Sequence, residues 1–505
     1  MLLEQVAATS RAIAGASSRK KKVSFLSALL REVPGAERAA VARYLAGETG
    51  YKTGIGYATV AELRSVTPAA SASLTITEVE QVFAELPTLA GTGSSRAKKD
   101  TLGALFARAT DGEQHFLAAI LIGELRQGAL DALVVDAIAL TTELPPRAVR
   151  TAYMLAGELG VVAAAVLADP AAVHGFGLNV FRPILPMLAQ TAEDASAALA
   201  ESPDAPLAFE LKLDGFRLQV HKDGDAVRAY SRALNDVTAE VGPLLEVVRA
   251  LPARRLILDA EAIAYRANGR PLPFQDTMKL KAGGAIGQTL TLSAFDVLLV
   301  DDDTLLTKPA RERFAALATA APALAVPRVV TADAAEATAF YDRAIAGGHE
   351  GVMAKALEAP YDAGRRGAAW LKIKKVRHLD LVVLAAEWGS GRRKGKLSNI
   401  HIGARSAAGF VMLGKTFKGM TDVMLDWQTA SFLARQVDRD GHIIYVRPEI
   451  VVEIAFNDVQ RSTHYHGGLA LRHARVVRYR DDKTVAESDP IEAVRAIAIA
   501  DGVIE

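Results

Sequence analysis

Residues 209–220 read FELKLDGFRLQV. In a strand alternate side chains share a face, so Phe209, Leu211 and Leu213 lie on one side and Glu210, Lys212 and Asp214 on the other. One face is built for burial and the other carries charge. After Gly215 the apolar positions change parity to Phe216, Leu218 and Val220, which requires a turn or bulge at Asp214–Gly215 that redirects the chain. Lys212 therefore stands beside a bend. A lysine stays protonated near neutrality, with a reference pKa of roughly 10.4, so using it as a nucleophile needs desolvation or nearby positive charge. The plainer reading is a half-exposed strand with an ion-paired lysine.

Acid and base clusters further along weigh on that choice. LILDAEAIAY (256–265) drives an apolar strand into Asp259 and Glu261, and GHEGVMAKA (348–356) sets Glu350 between glycines. Carboxylates at the ends of buried strands are costly unless they are paired or bound to a cation. Ion pairs would satisfy them; so would a magnesium ion that keeps water and phosphate oxygens as its other ligands. In WLKIKK (370–375) alternation puts Lys372 and Lys374 on one face and Leu371 and Ile373 on the other. Two like charges at neighbouring same-face positions call for an anion between or above them, and a phosphate is the economical candidate.

Around these segments the chain runs to 505 residues, too many for one core, so about two to four domains are expected. Half of the residues are apolar, 23% are charged and the net charge is +1, which describes an ordinary globular protein. A polyanionic partner would have to be met by locally concentrated base. There is no cysteine, which excludes disulfides, zinc ribbons and thiolate-held clusters. The most apolar run, GVVAAAVLA (160–168), falls short of the roughly 18 residues of a spanning helix, and the N-terminus lacks a signal-peptide pattern. A cytoplasmic protein is expected.

Three textures divide the chain. Residues 1–175 are rich in alanine and leucine at helical spacing, and EQHFLAAILIGELRQG (113–128) reads as a helix ending near Gly128. Two small-residue loops there, SSRKKK (17–22) and GSSRAKK (93–99), carry basic clusters. From about 176, after the proline-marked FRPILPMLA (181–189), short β-rich segments are broken by Gly, Pro and Asp. A second shift follows at 376–398, where a strand pattern runs into a Gly/Lys/Arg loop; the short β segments beyond it suit a small antiparallel barrel.

In order and approximate spacing, ELKLDGFR, YSRALNDVT (230–238), LDAEAIAY, SAFDVLL (293–299), GHEGVMAK, YDAGRRGAAWLKIKK (361–375) and LRHARVVRYRDDK (471–483) resemble the motifs of ATP-dependent DNA ligases, which are covalent nucleotidyltransferases. The helical first region looks like the DNA-binding domain of the larger, three-domain members. The resemblance implies a multidomain α+β protein: a helical DNA-binding domain over 1–175, a mixed α/β adenylation domain over 176–378 and an OB-fold barrel over 379–505.

It also implies roles. Lys212 would attack the α-phosphate of ATP to form a lysyl-adenylate, with Mg2+ or Mn2+ held by Glu261 and Glu350. Glu210, Arg217 and Phe295 would shape the nucleotide pocket, Phe295 by stacking on adenine. Arg232 would meet nucleotide phosphates or the 5′-phosphate of the nick, and Lys372 and Lys374 would neutralise charge on the α-phosphate. Arg480 and Lys483 would orient pyrophosphate as it leaves.

AMP would then pass to the 5′-phosphate of nicked duplex DNA, and the 3′-hydroxyl would displace it. A barrel that serves the first step and covers DNA later needs two poses, so a swing about 376–382 is expected. The family usually reads Ser-Arg-Asn where this chain has Ser231-Arg232-Ala233, so no polar contact is expected from position 233. Candidate DNA contacts are Arg96, Lys98 and Lys99 in the helical region and Arg392, Arg393, Lys394 and Lys396 in the barrel loop, reading backbone and not sequence. A monomer in a bacterial cytoplasm, associated with the nucleoid, is the expected setting.

Three other readings share parts of this pattern. NAD-dependent ligases usually carry a cysteine zinc cluster, which this chain lacks. RNA ligases and capping guanylyltransferases share the lysine motif, although SAFDVLL and WLKIKK look more like a DNA ligase. A non-catalytic nucleic-acid clamp would have no need of Lys212.

Overall fold

The computed structural model describes residues 1–125, 127, 130–281, 290–363, 366–390 and 393–504. The first region is a stack of helices running from Leu3–Gly15 to Leu159–Ala168. Their apolar faces meet in one core that includes Leu3, Phe83, Phe106, Leu117, Ile138 and Val162. Each such side chain, fully buried, contributes about 1.5–3 kcal/mol. Thr75 with Glu78 and Thr110 with Glu113 form reciprocal caps at two helix starts. The helix expected to reach Gly128 spans Asp111–Leu121. It stops early because Gly123 takes φ +65° and the Glu124 amide turns back to the Ala119 carbonyl at 2.8 Å, a left-handed close that satisfies the last carbonyls. Gly128 itself lies outside the described residues.

The central region consists of two five-stranded sheets. Its strands are β1 (Leu188–Thr191), β2 (Leu207–Lys212), β3 (Phe216–Asp223), β4 (Ala226–Ser231), β5 (Arg255–Ala264), β6 (Leu290–Val300), β7 (Asp303–Thr304), β8 (Arg328–Thr331), β9 (Gly351–Ala356) and β10 (Arg366–Lys374). The first sheet has the order β1-β10-β9-β2-β8 and the second β4-β3-β5-β6-β7. The bend at Asp214–Gly215 is thus a crossing: β2 ends in one sheet and β3 begins in the other. At Gly215 a Cβ would sit 2.0 Å from the Ala262 carbonyl oxygen, so only glycine lets the chain cross so close to β5.

Each sheet buries its outer face under helices. Phe209, Val352, Leu371 and Ile373 pack beneath Ala195–Ala200 and Ala334–Ala346, while Leu218, Val220, Leu256 and Leu258 pack beneath Gly242–Arg249 and Ala310–Ala320. The inner faces look at each other, so the charged side of FELKLDG points into the gap between sheets.

The third region is antiparallel. Strands β11 (Arg377–Trp388), β12 (Leu397–Ser406), β13 (Gly409–Thr416), β14 (Gln436–Asp440), β15 (Ile443–Val446), β16 (Val451–Phe456) and β19 (Arg475–Tyr479) form a half-barrel around Leu381, Ile402, Ile454 and Phe456. The hairpin β17 (Asp458–Arg461) with β18 (Leu469–Arg472) projects towards the central region. There the Arg472 guanidinium donates to Asp214, Gln275 Nε2 donates to the Arg461 carbonyl at 3.0 Å, and Arg461 pairs with Asp276. Only Lys375 and Val376 separate β10 from β11.

Candidate active site

A cavity of about 590 Å3 opens between the two inner faces. Strand alternation brings Glu210 and Lys212 to it from β2, Met353 and Lys355 from β9, and Trp370, Lys372 and Lys374 from β10; Arg217, Glu261 and Phe295 come from the second sheet. Ser231, Arg232 and Ala233 form its rim on an exposed turn.

Lys212 is the last residue of β2, and its ammonium pairs with Glu350 Oε2 while Lys374 pairs with Oε1. Burial pushes the Glu350 carboxyl up, but the two ammoniums outweigh it and hold the group below its ordinary value. Glu261 has the opposite balance. Burial raises it to about 7 against the pull of Lys212 and Arg217, even with the Gly215 amide donating to Oε1 at 3.2 Å. Its charge is under-compensated, as suits a carboxylate awaiting a cation. Among the described residues no three His, Asp or Glu side chains converge as a metal cage. A divalent ion held by Glu261 and Glu350 would therefore complete its shell with phosphate oxygens and water, the usual habit of Mg2+. The residues present fit that use.

The base-sized part of the cavity is walled by rings. Phe295 and Trp370 meet edge to face, with centroids 5.9 Å apart. Between them Lys355 places its ammonium 4.7 Å from the Phe295 centroid and 4.2 Å from that of Trp370. Lys355 also pairs with Glu210 Oε1, and Arg328 Nη2 donates to Oε2 at 3.1 Å. Burial lowers the Lys355 pKa, offset by the charge of Glu210.

Arg217 lines the cavity and is anchored from behind. Its guanidinium forks onto Asp259 at 2.8 and 2.6 Å and donates to the Met187 carbonyl at 2.7 Å, while the Tyr361 hydroxyl donates to Asp259 at 2.7 Å. These bonds tie β3, β5 and the segment before β1 together.

The remaining sites lie apart from the cavity. Arg480 Nη1 donates to Asp380 at 2.9 Å and Lys483 Nζ at 2.5 Å, on the half-barrel's own β11. The half-barrel instead sends Arg472 to the cavity. Arg96 is 89% exposed with a loose contact to Asp100, whereas Lys98 donates to the Thr53 carbonyl at 3.0 Å and Lys99 pairs with Glu62. Arg393 donates to the Phe417 carbonyl at 2.6 Å, Lys394 is exposed, and Lys396 pairs with Asp426. Arg392 lies outside the described residues.

Lys355, Trp370, Arg328 and Arg472 were not singled out from the sequence. Lys355 and Trp370 carried a signal, since Lys355 shares parity with Met353 and Trp370 with Lys372. Arg328, in VPRVVT, and Arg472 carried none, because each matters through a partner distant in the chain.

Comparison with known proteins places this chain in a class. Family models match in chain order: DNA ligase N terminus at 57–139, ATP dependent DNA ligase domain at 186–374, and ATP dependent DNA ligase C terminal region at 393–483. A probable DNA ligase of Beutenbergia cavernae is 50% identical, covering 99% of this chain and 100% of that protein. One of Anaeromyxobacter dehalogenans strain 2CP-C is 52% identical, over 98% and 99% respectively. The solved structure called Pmar-Lig_PreS3 shares the fold with a TM-score of 0.64 at 19% identity, covering 94% of this chain and 99% of that one. The chain belongs to the ATP-dependent DNA ligases. It is an enzyme that uses ATP to join breaks in DNA. No helix among the described residues is long and apolar enough to cross a membrane.

Proposed function

We propose that Lys212 is the nucleophile that carries AMP between ATP and a nick in duplex DNA. The observation that carries this reading is its position: Lys212 ends β2 inside the inter-sheet cavity, with Glu350, Lys374 and Glu261 around it and the Phe295–Trp370 wall beside it. In the first step the Lys212 nitrogen loses a proton, forms a bond to the α-phosphorus, and pyrophosphate leaves. In the second, a phosphate oxygen at the nick's 5′ end takes the adenylyl group and frees Lys212. In the third, the 3′-hydroxyl attacks that phosphate and expels AMP. These are phosphoryl transfers, in which positioning and electrostatics supply most of the acceleration.

Lys372 and Lys374 balance charge on the α-phosphate, and the rings hold adenine. A divalent ion at Glu261 and Glu350 supplies positive charge to the phosphates when bound. Arg232, on the exposed rim turn, meets phosphate of the nucleotide or the nick. Most of the expected swing segment, 376–382, lies within β11, so the turn that would bring Arg480 and Lys483 to the cavity falls at the Lys375–Val376 link, and the pose with Arg472 at the cavity belongs to the later steps. The protein works as a monomer in the bacterial cytoplasm.

Incubation with magnesium and α-labelled ATP, GTP or NAD tests this reading. An acid-labile, alkali-stable label from ATP that is lost in Lys212→Ala, and that chases into a sealed nicked duplex, is expected. Preference for GTP or NAD, or label that survives Lys212→Ala, sinks it.

A further inference from the structure

Glu210 is 2% exposed at the side chain, lines the cavity, and is held at both oxygens: Oε1 by Lys355 and Oε2 by Arg328. The two cations differ in position. Lys355 reaches the cavity and touches its rings, whereas Arg328 lies on edge strand β8, directly across from Glu210 in the register, and is not part of the cavity wall. The Arg328 guanidinium is itself seated 3.8 Å from the centroid of the Phe314 ring. The Arg328 side chain meets the nucleotide pocket through Glu210, with one further, longer contact of 3.5 Å from the same Nη2 to the Phe295 backbone carbonyl.

We propose that Arg328 is a positioning residue that sets the base specificity of the nucleotide pocket by holding Glu210. A carboxylate is an acceptor with about four lone-pair sites, and Lys355 and Arg328 each occupy one, fixing the plane of the group with its remaining edge towards the cavity. Adenine offers an amino donor at position 6, where guanine and hypoxanthine offer a carbonyl acceptor. A carboxylate held still attracts the first and repels the second. One held by Lys355 alone can swing towards that ammonium and away from the base, which weakens both effects. The seat on Phe314 gives the guanidinium a fixed approach that a flexible ammonium lacks.

This inference rests on the reading that the base of ATP occupies the cavity beside Glu210, and its test separates the two. Self-adenylation by the full-length protein is measured with ATP and with inosine triphosphate, which carries a 6-carbonyl, for the native chain and for Arg328→Met, Arg328→Gln, Arg328→Lys and Glu210→Gln. Melting curves check that each variant folds. Arg328→Met is expected to raise the KM for ATP and to lower the ATP-over-inosine preference, each about tenfold, with kcat little changed. Arg328→Lys restores part of the preference; Arg328→Gln, which keeps a donor without the charge, serves if the Met variant does not fold and should lower the preference in the same direction. Preference lost in Glu210→Gln but intact in the folded Arg328 variants overturns this inference alone. Preference intact in Glu210→Gln shows that the base is not read there and overturns both.

Discussion

The Arg472 guanidinium, on the half-barrel's hairpin, donates to both carboxylate oxygens of Asp214, at 2.6 and 3.3 Å, two residues beyond Lys212. The same guanidinium lies 4.8 Å from the Phe274 centroid. The third region is thereby latched to the loop that aims the nucleophile, while Arg480 and Lys483 are occupied at Asp380. Such a pair, partly shielded, is worth about 1–2 kcal/mol.

Arg472→Ala is therefore expected to slow single-turnover sealing of a pre-adenylated nick roughly tenfold while self-adenylation with ATP is kept. Rapid-quench measurement of each step checks this. Equal slowing of both steps would show that the latch serves no particular pose.

Closure of the half-barrel should weaken as pH rises. Asp458 is raised to about 6, first by burial and then by Asp214 and Glu350 across the interface, against the pull of Arg472. If opening exposes Asp458 and parts it from Asp214 and Glu350, the group returns to its ordinary carboxyl pKa, so between about 4 and 6 the closed form binds more protons and loses stability with rising pH, and above about 6 the loss levels off. Asp458→Asn should favour closure by about 1 kcal/mol at pH 7.5, and the gain should shrink towards pH 5. Interdomain fluorescence transfer reads this directly, and a gain independent of pH would contradict the assignment.

The salt dependence of DNA binding should distinguish the basic residues of GSSRAKK. Arg96→Ala is expected to reduce the slope of log K against log salt by about 1, the signature of one lost phosphate contact. Lys98→Ala should leave that slope alone and loosen the loop at Thr53, to which Lys98 is bonded. A slope change in Lys98→Ala, with none in Arg96→Ala, would reverse the roles.

Arg217→Met should cost about 3–5 kcal/mol in denaturant unfolding, because it strands Asp259 in a buried site. Arg217→Met together with Asp259→Leu should recover much of that loss. A variant with native stability and a defect only in ATP binding would show that Arg217 acts at the nucleotide and not through Asp259.

FELKLDG by itself determined that a charged strand face ends at a bend, since alternation along a strand is a property of the backbone. The same rule put Lys372 and Lys374 together and left Lys355 and Trp370 readable, and helical spacing marked the first region. A single Gly-centred close at Gly123 was enough to displace the end of one helix, because two adjacent amides can satisfy the last carbonyls at any turn. Which groups meet across the gap was decided only by the tertiary structure. Strand order seats Glu350 on Lys212 and Arg328 on Glu210, and domain placement seats Arg472 on Asp214 and withholds Arg480 and Lys483. Those pairings depend on which strands and domains become neighbours, and local pattern carries no record of the partner.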